Sequence, residues 1–233
     1  MAGPAESCRV WVTDGVLEQA VIDLAPGDLV ARATDKSEEV LFVVSGQGEL
    51  RLHGKRFALS PETGVNLGPG QEYELHNEGS DPMRAVSVRI PEPAPEDPGR
   101  QARTVVRQLA DQEEQEATTE RSFRIVADPS TGLRSATHFV GYVPTARAPD
   151  HFHTYDEVIY VLDGRGAFHA GGTSRAIAAG SCIELPARTV HCLENTGQDV
   201  MRLVAVFRPA GSPAAAYYPD GTPAYPGTPV LTI

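Results

Sequence analysis

Short apolar runs, each closed by turn residues, follow one another along the whole chain. Residues 39–44, 48–52, 85–90, 157–162 and 201–207 are of this kind, and Gly, Pro, Asn or Asp stands between them. Runs this short, this closely spaced and without intervening helical periodicity predict an all-β sandwich or barrel. The 22 glycines and 19 prolines agree, since they favour many turns over long helices.

The pattern repeats. Residues 39–48 (Glu-Val-Leu-Phe-Val-Val-Ser-Gly-Gln-Gly) match residues 157–166 (Glu-Val-Ile-Tyr-Val-Leu-Asp-Gly-Arg-Gly) at an offset of 118. The same offset carries Pro26 onto Pro144 and Asn77 onto Asn195. Landmarks spread over some fifty residues share one spacing, which indicates an internal duplication. The early copy is read as residues 1–91 and the late copy as 121–210. Residues 92–120 are a connecting segment that begins with a Pro-rich stretch at 91–99, unable to sustain a strand ladder. Its acidic residues Asp111, Glu113, Glu114 and Glu116 read as a solvated face. The Pro-, Gly- and Tyr-rich tail, 211–233, is expected to wrap over the barrel surface.

At 233 residues the chain is long enough for two small cores. A net charge of −11 with no basic stripe argues against nucleic acid and against an anionic membrane as partners. No apolar run approaches a membrane span, and the N-terminus has neither the basic start nor the apolar core of a signal peptide. Cys8, Cys182 and Cys192 are too few and too scattered for a disulfide framework. The expected location is therefore the cytoplasm.

The late copy carries the chemistry. In His151-Phe152-His153-Thr154-Tyr155-Asp156-Glu157, residues two apart on an extended strand face the same way. His151 and His153 can point together into a barrel, and Glu157 shares their parity. A Gly/Pro turn over 180–188 then leads into a strand that brings His191 across from them. Three imidazoles and a carboxylate suit one divalent transition metal: iron or manganese first, with nickel, copper, cobalt or zinc as alternatives.

These residues resemble the cupin superfamily. Its first motif is His-x-His, three or four residues, Glu, six residues and Gly, which His151, His153, Glu157 and Gly164 fit at every spacing. Its second is Gly, five residues, Pro-x-Gly, two residues, His, three residues and Asn. Gly180, Pro186, His191 and Asn195 fit that one, with Arg188 in place of the Gly. Thr145 likewise replaces the Gly expected before the first His. The resemblance covers most of the chain and implies a bicupin, two tandem jelly-roll barrels, with His151, His153, Glu157 and His191 as metal ligands. The 118 offset places Ala33, Asp35, Glu39 and Tyr73 at those positions in the early copy, so that barrel is expected to be a metal-free scaffold, able to supply an oligomer surface for a homodimer.

Three functions are compatible with this site. The leading one is a dioxygenase acting on a small organic substrate, as in quercetinase-like bicupins, with Glu157 as general base. A redox-neutral isomerase or lyase on an oxo-acid or sugar is the second. A non-catalytic barrel that binds a small ligand is the third. Tyr142, His138 and His169 are candidates to line the pocket. Arg134, Arg147, Arg165, Arg175 and Arg188 are candidates to hold a carboxylate.

Overall fold

The computed structural model describes residues 11–13, 16–95 and 103–231. Cys8 and part of the Pro-rich join lie outside the described residues. The chain forms two compact units, each all-β. One consists of the residues up to Asp111 together with Val126–Ser135, and the other of Gln112–Ile125 together with the chain from Ala136 onwards. The connecting segment is thus shared out between the units as structure, and contributes strands to both.

In the first unit the strands are β1 (Trp11–Thr13), β2 (Leu17–Leu24), β3 (Leu29–Ala33), β4 (Glu38–Ser45), β5 (Gly48–Leu52), β6 (Lys55–Leu59), β7 (Thr63–Leu67), β8 (Glu72–His76), β9 (Met83–Ile90) and β10 (Val106–Gln108). They form a sheet in the order β1-β2-β9-β4-β7-β10 and a second in the order β3-β8-β5-β6. The second unit holds β11 (Glu114–Glu116), all but the last two residues of β12 (Ser122–Ala127), β13 (Thr137–Val143), β14 (Asp156–Asp163), β15 (Arg165–Ala170), β16 (Thr173–Ala178), β17 (Cys182–Leu185), β18 (His191–Asn195) and β19 (Met201–Arg208). Its sheets run β11-β12-β13-β19-β14-β17 and β16-β15-β18. In each unit two antiparallel sheets enclose an apolar core, as in a jelly roll. Leu41, Val43, Leu50, Leu67 and Leu75 anchor the first core, and Phe139, Ile159, Val161, Leu203 and Phe207 the second.

The duplication is visible bond by bond. Asn77 donates from Nδ2 to the carbonyls of Leu24 and Asp81, both at 2.9 Å, while its Oδ1 accepts from the Gly79 amide. Asn195 makes the same three bonds, to Val143, Asp199 and Gly197. These bonds meet backbone groups that would otherwise be buried unpaired, so the side chain ties the end of one strand to a turn. Register shifts fall at equivalent places, between Val43 and Ser45 and between Val161 and Asp163. Each is followed by a glycine at positive φ, Gly46 (78°) and Gly164 (89°). A Cβ there would lie 2.6 Å from the Met83 Cα or 2.9 Å from the Met201 Cα, so only glycine fits.

The tail packs rather than frays. Its backbone pairs with the first histidine segment, from the Phe152 amide to the Tyr217 carbonyl (2.9 Å) and back (3.0 Å). Tyr155 and Thr137 reach the carbonyls of Ser212 and Gly211.

Candidate metal centre

In the late barrel the place of a first short-sheet strand is taken by single bridges, including one between His151 and His191. The amides and carbonyls of these two residues bond reciprocally at 3.0 and 2.8 Å. An antiparallel pair of this kind sets side chains side by side, and the ring centroids are 4.5 Å apart. His153, two residues on, points to the same side, with its ring 5.2 Å from that of His151 and 5.6 Å from that of His191. One ring nitrogen from each histidine lies within 4.8 Å of the others.

Each ring is oriented from behind. Nδ1 of His151 donates to the Pro149 carbonyl (2.9 Å), that of His191 to the Thr189 carbonyl (2.9 Å) and that of His153 to the Ala215 carbonyl in the tail (2.8 Å). With the proton held on Nδ1, the lone pair of Nε2 is left for the cluster. Burial opposes the charged imidazolium: it lowers His151, pushes His153 down to about 4 and holds His191 well below the usual histidine value. All three are neutral donors at neutral pH. A divalent cation with nitrogen ligands at about 2.1 Å separates them by roughly 3–4 Å, so the trio fits such an ion.

Glu157 stands on β14, opposite Leu185 and Phe207, and is 4 % exposed. Its carboxylate is not part of the 4.8 Å cluster, although it lines the same cavity. Burial alone raises its pKa to about 8, so without a nearby cation it is a neutral acid at pH 7. The cavity has Phe139, Ile159, Leu193 and Phe207 on its apolar side, and Thr118, Ser122 and Tyr142 among its polar lining.

Of the weaker sequence candidates, Tyr142 lines this cavity. His138 is buried, but alternation on β13 turns it away from the side of Phe139, Gly141 and Val143. His169 bonds Glu194 at 2.8 Å on the far face of β15 from Phe168. None of Arg134, Arg147, Arg165, Arg175 and Arg188 lines the cavity. Arg188 takes the left-handed conformation (φ 64°) of the glycine it replaces, and its amide donates to the His153 carbonyl at 2.7 Å. The turn keeps its shape at a cost of about 1 kcal/mol. The arginine that does line the cavity is Arg121, which the sequence reading passed over. Its signal was parity: it lies two residues before the core residue Phe123.

The early barrel corrects one correspondence. Strand register pairs Tyr73 with Arg32, just as His191 pairs with His151, so Arg32 rather than Ala33 stands where the first histidine would be. The uniform 118 offset fails here by one residue. Asp35 keeps its correspondence with His153, since its carbonyl accepts from the Gly70 amide as that of His153 does from Arg188. The Arg32 guanidinium bonds the buried Glu39 (3.1 Å) and the Tyr73 hydroxyl (2.9 Å). Ser87 donates to the same carboxylate at 2.6 Å. A protein cation thus sits against the retained glutamate.

Two jelly-roll units related by duplication, one with a convergent histidine cluster, define a two-barrel cupin. The chain belongs to the cupin family: the cupin domain model matches residues 20–89 and again 138–207. Over 60 residues the chain is 35% identical to an uncharacterised protein of Streptomyces coelicolor, a match covering 26% of this chain and 56% of that protein. The matched part thus spans about half the length of that curated relative. Among solved structures the fold is similar to a putative glyoxylate induced protein from Pseudomonas aeruginosa (TM-score 0.71, 21% identity, 85% of this chain and 78% of that one). It is similar as well to the Ylba protein of E. coli (0.74, 13%, 89% and 85%). A third is the oxalate decarboxylase of Bacillus subtilis, whose description names Mn(II) centres (0.65, 14%, 85% and 70%). No helix among the described residues is long and apolar enough to cross a membrane.

Proposed function

We propose that the chain is a metal-dependent enzyme whose late barrel holds one divalent transition metal and works on a small organic molecule. The observation that carries this reading is the convergence of three neutral imidazoles, each with Nδ1 tied to a carbonyl, inside a cavity they share with a protonated carboxylic acid. In this reading His151, His153 and His191 hold the metal. Glu157 is the fourth ligand that the family pattern implies, and a proton carrier when it is off the metal. Bound there, a divalent ion supplies Lewis acidity toward a substrate oxygen. The protein supplies the rest: the apolar side chains Phe139, Ile159, Leu193 and Phe207 along one side of the cavity, and an acid in the same cavity whose pKa, with no cation beside it, lies close to neutral. Iron and manganese are the metals we propose first. The name of the Mn(II)-containing structural relative accords with that choice, although at 14% identity it speaks for the fold alone.

Dioxygenation of a small substrate and redox-neutral isomerisation or lysis both fit such a centre. One observation favours the second: with no cation beside it, burial holds Glu157 as an acid able to transfer a proton. The test is elemental analysis of protein purified without chelator, followed by turnover of a panel of small oxo-acids and hydroxy acids with and without oxygen. One metal per chain and anaerobic turnover support the redox-neutral reading. Turnover only with oxygen uptake moves the assignment to dioxygenase. Absence of metal, with full activity in a His191→Ala variant, overturns both. A soluble cytoplasmic homodimer that binds neither nucleic acid nor membrane is the setting we propose.

A further inference from the structure

Arg121 is the one guanidinium among the residues lining the late cavity. Its Nη2 donates to the Leu193 carbonyl at 2.5 Å, which is a neutral partner. Among the described residues no carboxylate lies within ion-pair distance of it, whereas Arg32, Arg51, Arg84, Arg103 and Arg202 each have one. Glu157 does not fill that role, since burial alone accounts for its shifted pKa. Desolvation holds the guanidinium below the usual arginine range, and its charge further disfavours protonation of all three cluster histidines. A partly buried guanidinium without a counter-ion is costly, and the cost is recovered when an anion arrives.

We infer that Arg121 anchors the carboxylate of a small carboxylic acid, directing a second oxygen of the same molecule toward the histidine cluster. The planar fork of arginine matches two carboxylate oxygens. A single guanidinium suits a monoanionic group better than phosphate, which takes several cationic donors or a nest of amides. Because Arg121 and the three histidines line one cavity, a molecule that carries its carboxylate and a second oxygen close together suits it, such as a short 2-oxo acid or dicarboxylate. The second contact rests on the metal reading of the preceding subsection; the contact with Arg121 does not.

The test is calorimetric titration of oxalate, pyruvate, oxamide and inorganic phosphate into Mn(II)-loaded and chelator-treated protein, for the wild type, Arg121→Gln and Arg121→Lys. The two carboxylates are expected to bind loaded wild type, and neutral oxamide not to bind. Arg121→Gln is expected to weaken carboxylate binding about tenfold or more while leaving Mn(II) stoichiometry unchanged, and Arg121→Lys to recover part of the loss. Mapping of phenylglyoxal-modified arginines in the wild type gives a reading that needs no variant to fold: oxalate is expected to protect Arg121. Equal carboxylate affinity in Arg121→Gln, phosphate binding as tightly as oxalate, or modification of Arg121 unaffected by oxalate would each overturn the assignment. If the wild type takes up no Mn(II) yet oxalate still protects Arg121, the metal reading fails and the anion anchor stands.

Discussion

Replacing Glu157 with Gln isolates the electrostatic cost of a buried acid in the metal-free late barrel. In the unfolded chain a glutamate ionises near 4.5, whereas burial in the fold raises this one to about 8. The gap corresponds to about 5 kcal/mol against the charged form inside the barrel. The native state therefore binds the extra proton, and stability falls as pH rises from the unfolded value through the folded one. The cluster histidines act in the opposite sense. Their folded pKa values lie below the unfolded value of 6.5, so their contribution is present above pH 6.5 and lost as pH falls below it. Between pH 6.5 and 8 the histidine contribution is complete and the glutamate dominates, at about 1.4 kcal/mol per pH unit, or about 2 kcal/mol over that window. Urea unfolding of chelator-treated wild type and Glu157→Gln at four pH values across this window measures the difference. The wild type is expected to lose about 2 kcal/mol relative to the variant as pH rises, and to regain it when a divalent metal is supplied. Parallel pH profiles for the two proteins would refute the reasoning, because they would mean that the carboxylate is already ionised in the fold.

Three further outcomes are expected. His153→Ala and His191→Ala should each abolish metal binding by elemental analysis. They should also remove the stabilisation of about 3 kcal/mol that a hundredfold excess of metal over its Kd gives the wild type, read as a thermal shift. Gly164→Ala, which drives a Cβ to within 2.9 Å of Met201 at a φ of 89°, should cost about 2–4 kcal/mol in urea denaturation. Gly171→Ala, with positive φ but open space, should cost about 1 kcal/mol. Arg32→Met should destabilise the early barrel by about 2 kcal/mol, the loss of one charge-assisted bond, since the fully buried Glu39 keeps Arg89 at 3.5 Å and the Ser87 hydroxyl at 2.6 Å. Its effect should vanish in an Arg32→Met/Glu39→Leu pair, measured in a double-mutant cycle.

Much of the fold was readable because the duplicated strands are buried on both faces. In β4 the residues Val40, Leu41, Phe42 and Val43 are buried one after another, so the strand reads as an apolar run with no alternation, and its twin β14 carries nearly the same run at Val158, Ile159, Tyr160 and Val161. Bulge, glycine and asparagine then recur at one spacing, because the same backbone groups need the same partners in each barrel. The segment between the copies was harder. The strand β11 has all three of its residues exposed, so it has no apolar alternation to detect, and hydrogen bonding to β12 alone orders it.

By itself the sequence determined the β class and the two copies, and it singled out His151, His153, Glu157 and His191 as one candidate set, because motif spacing and strand parity are local properties of a chain. Only the tertiary structure decided which of those groups converge. The histidine rings meet through a bridge between residues forty apart and a carbonyl from the tail, while Glu157 lies in the same cavity outside their cluster. It likewise decided that Arg32 opposes Tyr73 and that Arg121 faces the cavity, since one inserted residue in a loop shifts register and no spacing rule reports it. Charge placement of this kind depends on which backbones pair, and pairing is settled by the packed barrel as a whole.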